Sequence, residues 1–239
     1  KEAEEIAEAV KRLAEASAKT AEELARAVRK AAEDLVKLAK EHADALRTAA
    51  DRIAKLIEAE EAARKALEAA KKAIEDNERA AKEALEAAKR AIDIIREAAE
   101  RSKKAAEEAI DIIRRAKEGR EDIERALREL LKANRKAVED AKRALKELAD
   151  AAREAVKKAK ETAERLIEAI KRAADEAPAS EDIRREIKRI ADELKEITKR
   201  LEDEVEKIIR RLEKIAKEAE DRHRKLAEEL RRIAEEAKR

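Results

Sequence analysis

The chain has no Cys, Met, Phe, Tyr or Trp, and it has one Gly and one Pro among 239 residues. Without cysteine it has no disulfide, no thiol nucleophile and no thiolate metal ligand. A chain so poor in Gly and Pro cannot build the many tight turns that sheets and nucleotide-binding loops require. These absences exclude most fold classes and leave an all-α protein.

Long apolar runs and an excess of one charge are also missing. No apolar run is longer than three residues, against roughly 18 residues for a membrane-spanning helix, and no signal-peptide core opens the chain. The 62 basic and 60 acidic residues are interleaved, so no basic stripe faces a phosphate backbone. We expect a soluble protein with no membrane, no nucleic acid and no targeting signal, whose start at Lys1 reflects processing or an omitted tag.

The apolar residues that are present follow a strict period. In the last quarter of the chain they step by four and three positions and repeat after 18: Ile183, Ile187, Ile190, Leu194, Ile197, Leu201, Val205 and Ile208. Eighteen residues make five turns at about 3.6 residues per turn, so the apolar stripe runs parallel to the helix axis. We therefore predict straight, untwisted helices.

The few helix breakers place two of the three turns. Gly119 follows a basic stretch, as expected of a residue just beyond a helix C-terminus. Pro178 separates two further helices, and Ser180 is placed to cap the second of them.

The first turn has no breaker, and the phase of the apolar stripe locates it instead. The paired apolar positions jump across the helix near Glu58 and Glu60, whereas the rival site at Asp76 and Asn77 interrupts no phase. The predicted helices span residues 1–58, 61–118, 121–177 and 181–239.

Short connections between equal helices predict an up-down-up-down antiparallel four-helix bundle in a single domain, 1–239. Each helix has about 58 residues and a length of about 87 Å at about 1.5 Å per residue. The first three helices are rich in Ala, whereas the fourth carries mostly Leu, Ile and Val on its stripe. We predict that this bulky ridge fills the space between Ala-lined helices.

Uncharged polar residues on the apolar stripes fall at two levels when positions are counted along an antiparallel bundle. The first level holds Ser17, Thr20, Ser102, Asn134 and His223; the second holds His42, Asn77, Thr162 and Thr198, with Asp76 one residue away. Buried polar groups are tolerated when they bond one another. We predict two structural, hydrogen-bonded layers that fix the register of the helices.

A catalytic site or a metal site at these residues has less support. A catalytic pair could be formed by Ser17 with His223 or by His42 with Asp76. Neither pair has a backbone turn nearby to form an oxyanion hole. One His and one carboxylate also fall short of the three or four ligands of a metal site. We therefore expect no enzyme activity, no catalytic residue, no cofactor, no metal and no small-molecule ligand, and we interpret the alternating charges as solvated faces.

The sequence resembles de novo designed straight helical bundles and building blocks. It uses few residue types, lacks Gln, and contains near-copies such as LEAAKKAI (67–74) and LEAAKRAI (85–92), although its four helices are not copies of one another. The resemblance implies a rigid scaffold, spacer or building block, monomeric or assembling with itself or with another designed helical protein. The alternative is a module that docks a partner helix or a second copy through an exposed Ala-rich stripe.

Overall fold

The structure is a computed structural model that describes residues 2–56, 60–115, 120–176 and 180–237. It contains four helices: α1 (Glu2–Leu56), α2 (Glu60–Arg115), α3 (Arg120–Glu176) and α4 (Glu181–Ala237). Within the described ranges there is no strand, and the helices pack on one another as an all-α four-helix bundle. The predicted fold class is confirmed.

The first helix break lies where the phase of the apolar stripe predicts it. Helix α1 ends at Leu56 and α2 begins at Glu60, whereas the rival site at Asn77 lies inside α2. The two predicted breakers, Gly119 and Pro178, lie outside the described residues. The predicted straightness of the helices stays a prediction.

Ser180 caps helix α4, as its position before an acidic first turn predicts. Its Oγ accepts a hydrogen bond from the backbone N–H of Ile183 at 3.4 Å, and its carbonyl oxygen accepts one from the N–H of Arg184 at 3.1 Å. Glu181 and Asp182 place negative charge at the positive end of the helix dipole. The start of α4 is therefore specified by local chemistry.

The contacts divide the chain into two compact units: unit 1 (Lys1–Lys30, Ala88–Leu148 and Arg211–Arg239) and unit 2 (Ala31–Ala87 and Ala149–Arg210). Each helix contributes one segment to each unit. In unit 1 the core joins the beginnings of α1 and α3 to the ends of α2 and α4, so consecutive helices run antiparallel. The single domain 1–239 stays a prediction.

The core of unit 1 combines large and small apolar residues, with most of the large ones from α1 and α3. Its buried members are Ile6, Ala7, Val10 and Leu13 from α1, Ala106, Ala109 and Ile113 from α2, Ala126, Leu127 and Leu130 from α3, and Leu230 from α4. Small residues let neighbouring helices approach closely while the larger ones fill the remaining space.

The main core of unit 2 has the same composition, with a larger share from α4. Ile187, Ile190 and Leu194 of α4 pack in one cluster with Ala70 and Ala73 of α2. The expected volume match is therefore present, but α1 and α3 also supply large residues to this cluster, including Leu46, Ile53, Leu166 and Ile170. Each fully buried Leu or Ile contributes roughly 1.5–3 kcal/mol to stability. In this cluster three helices supply most of the large residues that the sequence analysis assigned mainly to α4.

Charged side chains cover the outside of both units. Arg52 of α1 donates to Glu186 and Glu193 of α4 at 2.8 and 2.7 Å, and these bonds raise the pKa of Arg52. Arg222 of α4 bonds Glu23 of α1 at 2.7 Å, which lowers the pKa of Glu23. Such exposed pairs contribute little to stability. Over the described residues, none of the helices has a stretch apolar enough to cross a membrane.

Candidate functional site

The polar residues of the two levels lie inside the bundle. Seven are buried (Ser17, Thr20, His42, Asn77, Ser102, Thr162 and Thr198) and three are half-buried (Asp76, Asn134 and His223). We call the set in unit 2 the His42 layer (His42, Asp76, Asn77, Thr162 and Thr198) and the set in unit 1 the His223 layer (Ser17, Thr20, Ser102, Asn134 and His223).

The His42 layer contains a hydrogen-bonded chain across three helices. The Asn77 side-chain nitrogen Nδ2 lies 3.1 Å from His42 Nδ1, and His42 Nε2 lies 3.1 Å from Thr198 Oγ1. An amide nitrogen only donates, so Nδ1 accepts and the ring proton is on Nε2, which donates to Thr198. Both ring nitrogens are satisfied by a neutral imidazole in one tautomer.

Burial keeps this imidazole uncharged. His42 is 2% exposed, and desolvation lowers its pKa from 6.5 to about 4. At neutral pH the ring is therefore a neutral hydrogen-bonding group, and it is not poised to exchange protons with solvent near pH 7.

Two expected members of the His42 layer lie outside this chain. The Thr162 hydroxyl donates to the backbone carbonyl of Lys158 one turn earlier, at 2.6 Å. Asp76 is half-buried, and among the described side chains no hydrogen bond or ion pair joins it to His42. The carbonyl oxygen Oδ1 of Asn77 is buried without a partner. The structure thus joins His42, Asn77 and Thr198 by hydrogen bonds, and Thr162 and Asp76 are not bonded to this group.

The His223 layer surrounds a cavity and is not joined by hydrogen bonds. Ser17, Ser102, Asn134 and His223 line a space of about 50 Å³ inside unit 1. The hydroxyls of Ser17 and Ser102 are buried with no hydrogen-bond partner, and Thr20 donates to the carbonyl of Ala16 in its own helix at 2.9 Å. Among the described side chains, neither serine hydroxyl is bonded to another member of the layer, and the bonded layer expected at this level stays a prediction.

The cavity results from small residues that meet at one level. Its walls include Ala14, Ala18 and Ala21 of α1, Ala98 and Ala99 of α2, Ala137 and Ala141 of α3, and Ala216 and Ala219 of α4. The two alanines of α4 interrupt its otherwise bulky stripe. The sequence places alanines at this level in all four helices, and from this pattern the cavity could have been inferred.

His223 lines this cavity, and burial lowers its pKa. A serine nucleophile needs a base within hydrogen-bond reach. No such pair is assembled between the described side chains of Ser17 and His223, since the Ser17 hydroxyl has no partner. Over the same described ranges, no group of three or more His, Cys, Asp or Glu residues is placed to hold a metal ion.

A second cavity, of about 40 Å³, lies in unit 2. Its walls are alanines with Leu and Val side chains, among them Leu35, Val156 and Val205, and the bonded pair His42 and Asn77 also lines it. These two spaces, one in the described part of each unit, differ in the state of their polar groups.

No family model, curated protein or solved structure matches this chain.

Proposed function

We propose that this chain is a designed structural protein: a helical scaffold, spacer or building block for assemblies, with no catalytic activity. The observation that carries the proposal is the placement of the His, Ser, Thr and Asn side chains of the two layers in the helical core. There His42 is held neutral between Asn77 and Thr198. The described surface is dominated by exposed charged residues, several of them in ion pairs between helices. The resemblance to designed bundles supports the same assignment.

In this proposal the His42 chain selects one register of the helices. A repetitive Ala-rich stripe packs almost equally well after a slide of one turn, about 5.4 Å. Such a slide would separate atoms that now lie 3.1 Å apart and leave buried polar groups unpaired. A bonded layer that forms in one alignment therefore supplies the specificity that alanine packing lacks.

The oligomeric state and the hydrogen exchange of the backbone test this proposal together. A stand-alone scaffold is a monomer of 26.9 kDa by light scattering, and the buried backbone of all four helices exchanges slowly at every protein concentration. A module that requires a partner surface would show exchange in one helix that slows as concentration rises, and this result would contradict the stand-alone scaffold.

Helix α2 supplies the observation that favours the second candidate, a self-associating or helix-docking module. Leu67 and Ile112 are the exposed large apolar residues of the described chain, 36% and 44% exposed, and both lie on α2. If copies associate through this helix, L67E combined with I112E yields a monomer. The matched control, K65E combined with K104E, also adds acidic charge to α2 but removes no apolar side chain, so it leaves association in place. A wild-type monomer at all concentrations rules this candidate out.

A further inference from the structure

The cavity of unit 1 has the size and the lining of a small polar binding site. Its volume is about 50 Å³, and since one water occupies roughly 10–15 Å³ in this measure, it holds about three to five water-sized groups. Four polar side chains other than Lys and Glu line it, one from each helix: Ser17, Ser102, Asn134 and His223.

Two of these side chains lack a partner inside the protein. Ser17 and Ser102 are 8% and 7% exposed, and neither hydroxyl bonds another protein atom. A buried hydroxyl without a partner is unfavourable. An occupant that bonds both hydroxyls removes that penalty, so the cavity favours a molecule that carries hydrogen-bonding groups over an apolar one.

The charge of the site restricts the occupant further. Burial lowers the pKa of His223 and so favours its neutral ring, and the serines and Asn134 carry no charge. Three charged residues also line the cavity: Lys103, which is exposed, and Lys142 and Glu220, which pair with each other at 3.4 Å with both side chains partly exposed. The buried polar groups of the lining carry no formal charge, which favours a neutral occupant over an ion.

We propose that this cavity binds a small neutral molecule of three or four non-hydrogen atoms that both donates and accepts hydrogen bonds, as a primary amide or a short alcohol does. Its polar end bonds the hydroxyls of Ser17 and Ser102, and its apolar end contacts the alanine walls. The proposal differs from the sequence-based expectation of no small-molecule ligand, and it does not depend on the structural role proposed above.

The cavity of unit 2 serves as an internal control for binding in the cavity of unit 1. It is of similar volume, about 40 Å³, but its histidine is already bonded on both nitrogens and its one unpaired side-chain atom is Asn77 Oδ1. The chain has two histidines, and each lines one of the two cavities. Their imidazole signals therefore report the two cavities separately.

The test is a titration of the protein with acetamide, followed by the NMR signals of the two imidazoles at pH 7.5. We expect a saturable shift at His223 with half-saturation in the millimolar range, and no saturable shift at His42. In S17A/S102A, which keeps the cavity but removes both hydroxyls, binding weakens at least tenfold. A matched control is T20V, because the Thr20 hydroxyl is buried in the same layer but bonds its own helix backbone; it leaves the titration unchanged.

A second variant tests the space itself. Ala219 lines the cavity and is buried, so A219L fills the site while circular dichroism checks that the helices are retained. Acetamide then gives no saturable shift at His223. A shift that stays linear in wild type, saturable binding of equal strength in S17A/S102A, or waters in the cavity that acetamide does not displace would each overturn the proposal.

Discussion

The reach of a side chain decides which buried polar groups bond one another. The imidazole of His42 extends far enough to contact Asn77 on one side and Thr198 on the other. The hydroxyls of Ser17 and Ser102 lie one bond beyond Cβ, and they remain unpaired across a space lined by alanine. Two layers that look equivalent in the sequence are therefore different in chemistry.

Acid should destabilise the protein through His42. The folded-state pKa of about 4 lies below the unfolded value of about 6.5, so between these values the unfolded chain binds more protons than the folded one. The contribution of a neutral His42 is complete above about pH 6.5, and it is lost as pH falls toward 4, by about 3 kcal/mol in all. Urea unfolding at several pH values measures this slope.

The matched control for this pH dependence is H42Q, which keeps a hydrogen-bonding side chain and removes the titrating group. Carboxylates contribute to the slope in both proteins, so the difference between them isolates His42. Between pH 6.5 and 4.5 the wild type should lose more stability than H42Q. Equal slopes would show that the ring is accessible to protons in the folded state.

The hydroxyl of Thr198 should matter more than that of Thr162, although both residues are 7% exposed. T198V removes the acceptor of the His42 Nε2–H and leaves a buried donor unpaired, at a cost of about 1–3 kcal/mol. T162V removes a hydroxyl that bonds the backbone of its own helix, and the carbonyl of Lys158 keeps its place in the helix ladder, so the loss is smaller. Chemical denaturation of the two variants measures the loss of unfolding free energy in each. Equal losses in T198V and T162V would contradict the hydrogen-bonded chain through His42.

At the scale of one helix, α2 differs most from its neighbours. Most of its buried residues are alanines, such as Ala84, Ala88 and Ala91, whereas α1 and α3 bury several Leu and Ile. At these alanines the packing of α2 depends on close approach of its backbone to neighbouring helices, and a larger side chain in place of one of them would force the helices apart.

The N-terminus of α4 gives a prediction of its own. S180A removes the side-chain acceptor for the N–H of Ile183 and should cost about 0.5–2 kcal/mol, because one orphan donor of the first turn loses its protein partner. S180D keeps an acceptor and adds negative charge at the positive helix end, so it should retain stability. Thermal unfolding distinguishes the two, and an S180A protein as stable as S180D would show that the 3.4 Å contact contributes nothing.

For the molecule as a whole, each helix belongs to both compact units, and this bears on cooperativity. Ile113 of unit 1 and Ile53 of unit 2 are 0% exposed, so I113A and I53A should each cost about 2–5 kcal/mol through a cavity in the core. If residues 1–239 form one domain, either variant lowers the hydrogen-exchange protection of the slowest amides in both units. Loss confined to the substituted unit would mean that the two units unfold separately.

The sequence predicts the bundle well because the positions of apolar and polar residues around and along each helix can be counted from the sequence. The jump in the apolar stripe located the break between Leu56 and Glu60, and the level counted along the helices placed His42 beside Asn77. The same counting could not choose between Thr198 and Thr162 as the partner of His42. That choice depends on side-chain direction around each helix and on competition from the backbone carbonyl of Lys158.

The unpaired Oδ1 of Asn77 has a consequence for the direction of the bonded chain. As the side chains lie, donation runs from Asn77 through the ring of His42 to Thr198. Rotation of the amide by half a turn would present Oδ1 to the ring, transfer the ring proton to Nδ1 and let Thr198 donate, so every bond dipole would reverse with the heavy atoms almost unmoved. The direction of donation along this chain of hydrogen bonds is therefore set by the rotamer of the Asn77 amide and not by the surrounding backbone.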